Sequence, residues 1–163
     1  MKAAKKIIRL LGTVQLYAGV VCMGVIILAV TAGIISRKAF DAPLSWVEEL
    51  CTFMFIYLAF FGASVAAMNG KHVSADFLTQ KFSPRGAKIL AVVQRLFVLV
   101  LLGFMFVSSI ILLPKMGGHS STSLGIPKNY YFVPIMFSSL YMFFVYLIEL
   151  IEAAQAVGKK GGD

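Results

Sequence analysis

Four long apolar segments dominate the hydrophobic pattern of the chain. No charged side chain occurs in residues 14–36, 50–70, 96–114 and 129–148. A helix of about 20 apolar residues crosses a hydrocarbon layer roughly 30 Å thick. The pattern therefore predicts an all-α integral membrane protein with four transmembrane helices, at about 14–36, 46–68, 88–113 and 130–152.

The first twelve residues follow a second pattern. Apolar residues recur at helical spacing on one face, and the other face carries Lys2, Lys5, Lys6 and Arg9. A helix of this kind lies in the headgroup layer with its apolar face toward the acyl chains. We predict an amphipathic interfacial helix over residues 1–12, with the alternative that it extends the first span into the cytoplasm. One four-helix membrane domain then follows at 13–155, with a tail at 156–163.

Composition and charge exclude two classes of protein. Hydrophobic residues make up 60% of the 163-residue chain and charged residues 13%, too few to cover a water-soluble domain. The net charge of +8 does not indicate nucleic-acid binding, because the basic residues flank the spans. Ten Lys and Arg residues fall on the side of the termini and four on the opposite side. The positive-inside rule therefore predicts cytoplasmic termini.

Capping signals mark the starts of two spans. Ser45 and Glu48 have the S-x-x-E spacing of a capping box at the start of the second span. Ser83 precedes a proline and is a candidate N-cap for the third span. Near the start of the fourth span, Pro134 is expected to delay the helix or to kink it.

The spans lack the side chains that transport or catalysis would need. Carriers bind ions or protons through polar groups near the bilayer midplane, and the acidic residues here lie only at span ends. His72 and His119 fall on opposite sides of the membrane, so they cannot share a metal or a haem. A disulfide between Cys22 and Cys51 is not expected, because the two lie at different depths. We predict no catalytic, metal or substrate site, no bound cofactor and no enzymatic activity.

The few charges near the membrane suggest contacts. Glu48 is explained as a cap, whereas Glu49 beside it has no such role and is a candidate for contact with a partner. Arg95 lies about 10 Å inside the third span, at the depth of Glu149 and Glu152. We expect Arg95 to pair with one of these glutamates; the alternative is that it snorkels to the headgroups.

Small residues allow helices to approach closely in lipid. The second span carries Gly62, Ala63 and Ala66 in its half nearer the cytoplasm. These residues are expected at a helix contact, either within the four-helix domain or with a partner. The sequence leaves both possibilities open.

Several motifs together resemble a known family. Residues 40–50 read FDAPLSWVEEL, followed by FGAS at 61–64, GKHVSAD at 70–76 and SLGIP at 123–127. In this order they resemble the small membrane subunit of TRAP transporters, the DctQ-like family, over roughly residues 14–152. The family often has an arginine and a tryptophan where this chain has Thr52 and Tyr57.

The resemblance implies a tripartite, sodium-driven importer of an organic acid, such as a dicarboxylate or sialic acid, in the bacterial inner membrane. A periplasmic binding protein would deliver the substrate transiently. A large membrane subunit would hold the substrate and sodium sites, and this chain would be its noncatalytic scaffold in the lipid bilayer. The candidate partner-interface residues are Trp46, Glu48, Glu49, Gly62, Ala63, Ala66, Leu124 and Pro127.

A different class of function remains as the alternative. A stand-alone small carrier or channel with four spans could work as a homodimer. Such a protein should carry an acidic residue deep within a helix, and no span has one. A membrane anchor for an enzyme complex is a third possibility.

Overall fold

The fold consists of four long helices. The computed structural model describes residues 2–69 and 84–158, with side chains at 6–69, 90 and 92–151. Each helix contains a segment long and apolar enough to cross a membrane, and the described residues form no strand beyond one isolated bridge between Ser120 and Pro127. The predicted all-α fold is confirmed for the described residues, with four helices long and apolar enough to span a membrane. The helices are α1 (Lys2–Phe40), α2 (Ser45–Met68), α3 (Pro84–Lys115) and α4 (Val133–Gly158), with a 3₁₀ helix at Lys128–Tyr131.

Helix α1 corrects the prediction for the first twelve residues. It runs without a break from Lys2 to Phe40, so there is no separate interfacial helix, and the continuous form given as the alternative is the one observed. The physical reason is that nothing near residue 12 ends a helix. Gly12 is tolerated alone within a helix at a cost of about 1 kcal/mol, and the Thr13 hydroxyl donates to the Arg9 carbonyl oxygen at 2.8 Å.

The starts of the other helices differ from the predicted caps. Leu44 occupies the N-cap of α2 with an extended backbone and makes no side-chain capping bond, so the capping box of Ser45 and Glu48 is wrong. Ser45 is already the first helical residue. The extended residue that precedes the helix is Leu44, directly after Pro43, so the helix begins one position earlier than predicted. Ser83 lies outside the described residues. Pro134 is in the first turn of α4, where proline is tolerated, and the 3₁₀ helix precedes that turn.

The four helices pack in the order α1, α2, α4, α3. Consecutive helices run in opposite directions, so the ends of the chain lie at one end of the domain, here called the terminal end. The connections 41–44 and 116–127 lie at the other, the loop end. Because α2 and α3 are separated by α4, a cleft of about 370 Å³ opens between them, with Ala63 and Tyr146 among its apolar lining residues.

Helix α4 provides most of the core. Its buried face, which contacts both α2 and α3, has residues at a spacing of three and four along the helix, as expected for a packed helix face. Buried serines allow close approach: Ser64, Ser138 and Ser139 are completely inaccessible to solvent. The Tyr141 hydroxyl donates to the Ile8 carbonyl oxygen at 3.0 Å and connects α4 to α1.

The outward faces of α1 and α3 are apolar, and no described residue covers them. Leu28 in α1 and Phe97 and Phe104 in α3 are about 70% exposed, at 72%, 71% and 70%. Such surfaces suit lipid chains or another membrane protein and would be unstable in water. The architecture therefore leaves two helices largely free for contacts outside the chain.

Candidate partner interface

Glu49 joins helix α2 to the loop between α3 and the 3₁₀ helix. Its Oε1 atom accepts hydrogen bonds from the backbone N–H groups of Thr122 at 2.9 Å and Ser123 at 3.0 Å. The Oε2 atom accepts from Ser123 at 3.0 Å and Leu124 at 2.9 Å. Both carboxylate oxygens are therefore bound within the chain. Glu49 was expected to contact a partner because the sequence showed no internal role for it; the structure supplies that role.

The loop that binds Glu49, residues 119–128, is also held by its own bonds. The N–H of Lys128 donates to the His119 carbonyl oxygen at 2.7 Å, and the N–H of Ser121 donates to that of Ile126 at 2.8 Å. The Ser121 hydroxyl in turn accepts from the N–H of Ile126 at 3.1 Å. Gly125 closes the turn with φ of +65°, a backbone conformation that glycine adopts without a steric penalty. The 119–128 loop is a compact hairpin-like structure.

Two other predicted interface residues at the loop end are accessible. Glu48 is exposed, and among the described residues no group is found hydrogen-bonded to its carboxylate. Its backbone carbonyl accepts from the Thr52 hydroxyl at 2.8 Å. Trp46 is 36% exposed, and Leu124 and Pro127 are half-buried in the 119–128 loop. The loop end thus presents the loop, Trp46 and Glu48 together.

An aromatic cluster below this surface was not predicted. The Tyr57 hydroxyl donates to the Tyr130 carbonyl oxygen at 3.0 Å. The Phe53 ring contacts the rings of Tyr57 and Tyr131, with centroid separations of 4.9 and 5.0 Å, and Phe61 contacts Tyr57 at 5.7 Å. In the sequence, the recurrence of Phe53, Tyr57 and Phe61 at intervals of four is the pattern that could have predicted the cluster. The cluster fixes α2 against the 3₁₀ helix that precedes α4.

The small residues of α2 face different directions. Gly62 is exposed, and a Cβ added there would meet no atom within 4 Å. It lines a groove beside α1 together with Gln15 and Gly19, whereas Ala63 lines the cleft between α2 and α3. Ala66, one turn beyond Gly62, is half-buried. Gly62 is therefore not needed for packing within the described part of the chain.

The structure brings Arg95 and Glu149 together at the terminal end. The Arg95 Nε atom lies 3.7 Å from Glu149 Oε2, and the two side chains are 32% and 34% exposed. The side chain of Glu152 lies outside the described residues. The pair joins α3 to α4 near the level at which the apolar spans end.

Replacing Arg95 with alanine is expected to lower the yield of folded protein in detergent. Partly exposed ion pairs contribute about 0.5 kcal/mol, so the effect should be modest. A double-mutant cycle of Arg95→Ala and Glu149→Ala, followed by thermal unfolding, measures the coupling. The double variant should lose no more stability than the worse single variant; strictly additive losses argue against the pair.

The described residues named above form contacts between helices and loops. No group of three or more His, Cys, Asp or Glu in that part of the chain is arranged to hold a metal ion. Cys22 and Cys51 are free thiols. The fold and its exposed apolar faces define a multi-pass membrane protein.

Sequence comparison identifies the family. The profile of the DctQ component of tripartite ATP-independent periplasmic transporters matches residues 26–156. The chain belongs to this family of small transporter permeases, as the motifs of its sequence indicated.

Individual relatives agree with this assignment. The sialic acid TRAP transporter permease protein SiaT of Haemophilus influenzae (strain 86-028NP) is 38% identical over 76 residues, which cover 47% of this chain and 12% of SiaT. A protein of H. influenzae (strain Rd) named as a TRAP transporter small permease is 31% identical over 50% of this chain and 52% of its own length. A second is 21% identical over 90% of this chain and 89% of its own. The chain thus spans about half or less of the first two relatives.

Proposed function

We propose that the chain is the noncatalytic small membrane subunit of a tripartite, sodium-driven TRAP transporter that imports an organic acid. Its role is to act as a scaffold for the large transport subunit. Membership of the DctQ family supports this function. The observation that carries the scaffold role is the exposed Gly62 on α2, where an added Cβ would meet no other helix of the described residues within 4 Å. A glycine open in this way permits close approach by a helix of another protein.

The orientation follows from charge. With the basic N-terminal residues on the cytoplasmic side of a bacterial inner membrane, the loop end faces the periplasm. The 119–128 loop, Trp46 and Glu48 then meet the binding protein that brings the carboxylate. Sodium and substrate are bound by the large subunit in this proposal, because the acidic residues of the described spans lie only at span ends. One relative is named for sialic acid, so sialic acid and four-carbon dicarboxylates are the first substrates to test.

Affinity purification of the tagged chain from its native background in mild detergent tests the proposal. A large, many-span membrane protein should co-purify in a constant ratio. Reconstituted together in liposomes, the two should take up a carboxylate only with both a sodium gradient and the binding protein. Recovery of this chain alone, as a homodimer that moves a solute by itself, would support the stand-alone carrier instead.

A further inference from the structure

We propose that Glu49 is a positioning residue, which holds the 119–128 loop in the conformation that receives the periplasmic binding protein. The inference rests on the proposed function, because it concerns how the loop end meets that partner. It assigns Glu49 an indirect role: the carboxylate acts through the loop and does not itself touch the binding protein.

The geometry shows why the carboxylate can hold the loop. Three consecutive N–H groups, those of Thr122, Ser123 and Leu124, all point at Glu49, at 2.9 to 3.0 Å. Successive N–H groups that converge in this way form a concave anion site. Hydrogen bonds to an ionised acceptor are roughly twice as strong as neutral ones. Because its oxygens already accept four such bonds, Glu49 is poorly suited to bind a partner directly.

The composition of the loop explains why it needs this anchor. Between His119 and Ile126 it consists of Ser120, Ser121, Thr122, Ser123, Leu124 and Gly125, most of which are small and polar. Apart from Leu124, these side chains have little apolar area to bury. Glu49 instead anchors the middle of the loop to α2, across 73 to 75 positions of sequence.

A fixed loop matters for docking, because ordering a flexible segment on association lowers the affinity. Thr122 and Ser123 keep exposed surfaces although their N–H groups are bound. The loop therefore presents a formed surface at the end of the domain opposite the basic N-terminus. A binding protein arriving from the periplasm meets that surface without having to order it.

Glu48 provides a matched control for Glu49. It is the preceding residue, carries the same side chain and lies on the same turn of α2, but it is exposed, and none of the hydrogen bonds to the loop involves it. Both E48Q and E49Q remove one negative charge at the loop end. Loss of the bonds to the loop occurs only in E49Q, because glutamine presents an amide N–H₂ in place of one of the accepting oxygens.

The first measurement is hydrogen–deuterium exchange on the complex of this chain with its large subunit. In E49Q and E49A, the fragment covering residues 119–128 should exchange about tenfold faster than in the wild type, if the bonds contribute about 1.4 kcal/mol to keeping the loop closed. E48Q should exchange like the wild type. Unchanged exchange in E49Q and E49A would overturn the inference.

The second measurement is uptake by proteoliposomes as the concentration of binding protein is varied. E49Q should raise the KM for the binding protein about tenfold, with a maximal rate within about twofold of the wild type. E48Q serves as the control in the exchange measurement only, because Glu48 is itself proposed to meet the binding protein. A variant that only assembled poorly would lower the maximal rate and keep the KM, and this result would contradict the positioning role.

The two proposals fail in different ways. If the wild-type complex does not form, or takes up substrate without a binding protein, the proposed function is wrong. If the wild type depends on the binding protein and E49Q keeps the wild-type KM although its loop exchanges faster, the positioning role is wrong and the proposed function stands.

Discussion

Replacing Gly62 with leucine is expected to weaken association with the large subunit about tenfold to hundredfold, because forcing a large side chain into a close helix contact costs about 1–3 kcal/mol. The chain alone should remain folded, since Gly62 is exposed and its Cβ position meets nothing within 4 Å. The measurement is the ratio of large subunit to tagged chain after affinity purification. Size-exclusion chromatography of the chain alone checks its folding.

A leucine at a second glycine is the control, because it distinguishes a specific interface from a general effect of adding a large side chain in the membrane. Gly103 in α3 also has open space at its Cβ position, and the cleft between α2 and α3 separates the two helices. Gly103→Leu should leave co-purification unchanged. If Gly103→Leu weakens association and Gly62→Leu does not, the partner sits on the α3 side and the assignment of the Gly62 face is wrong.

Replacing Ser138 with leucine is expected to destabilise the domain itself by about 3 kcal/mol, the upper part of the usual range for overpacking a core. Ser138 is completely buried on the face of α4 that supplies the core. Thermal unfolding in detergent and the yield of monodisperse protein measure the loss. If the leucine variant is as stable as the wild type, α4 does not pack as closely against its neighbouring helices at this position as described.

Alanine at the same position is the control. The Ser138 hydroxyl has no hydrogen-bond partner among the described residues, so Ser138→Ala removes a buried polar group that makes no bond. Its stability should stay within about 1 kcal/mol of the wild type or increase. A severe loss in the alanine variant would mean that the hydroxyl makes a hydrogen bond within the folded protein.

The fold was predictable because charge-free runs set the spans. In lipid every backbone N–H and C=O group must be hydrogen-bonded within the protein, so long apolar runs bounded by Lys and Arg leave few alternatives to a spanning helix. The pairing of Arg95 with either Glu149 or Glu152 was predictable for a related reason, since charges at one depth have few neighbours able to compensate them. The structure of the first twelve residues was not predictable, because the same periodicity fits a helix in the headgroup layer and a helix that continues into the span.

The hydrogen bonds of Glu49 could not have been predicted from the residues. Its donors are backbone N–H groups, which every residue except proline carries, and they come from a loop more than 70 positions away. The capping box predicted for Ser45 and Glu48 is wrong for a local reason. A capping box requires Ser45 to be the extended residue before the helix, and that residue is Leu44.

The continuous α1 has a consequence for how the subunit sits in the bilayer. Residues 10–36 carry no charge and rise about 39 Å at 1.5 Å per residue, against a hydrocarbon thickness of about 30 Å. A tilt of about 40° from the bilayer normal removes this hydrophobic mismatch. Helix α2 follows α1, because Gly12 adjoins Met68 near one end and Gly33 adjoins Val47 near the other. With that tilt, the two ends of the α1–α2 pair would be displaced sideways by about 25 Å, and the subunit would occupy different positions in the two leaflets.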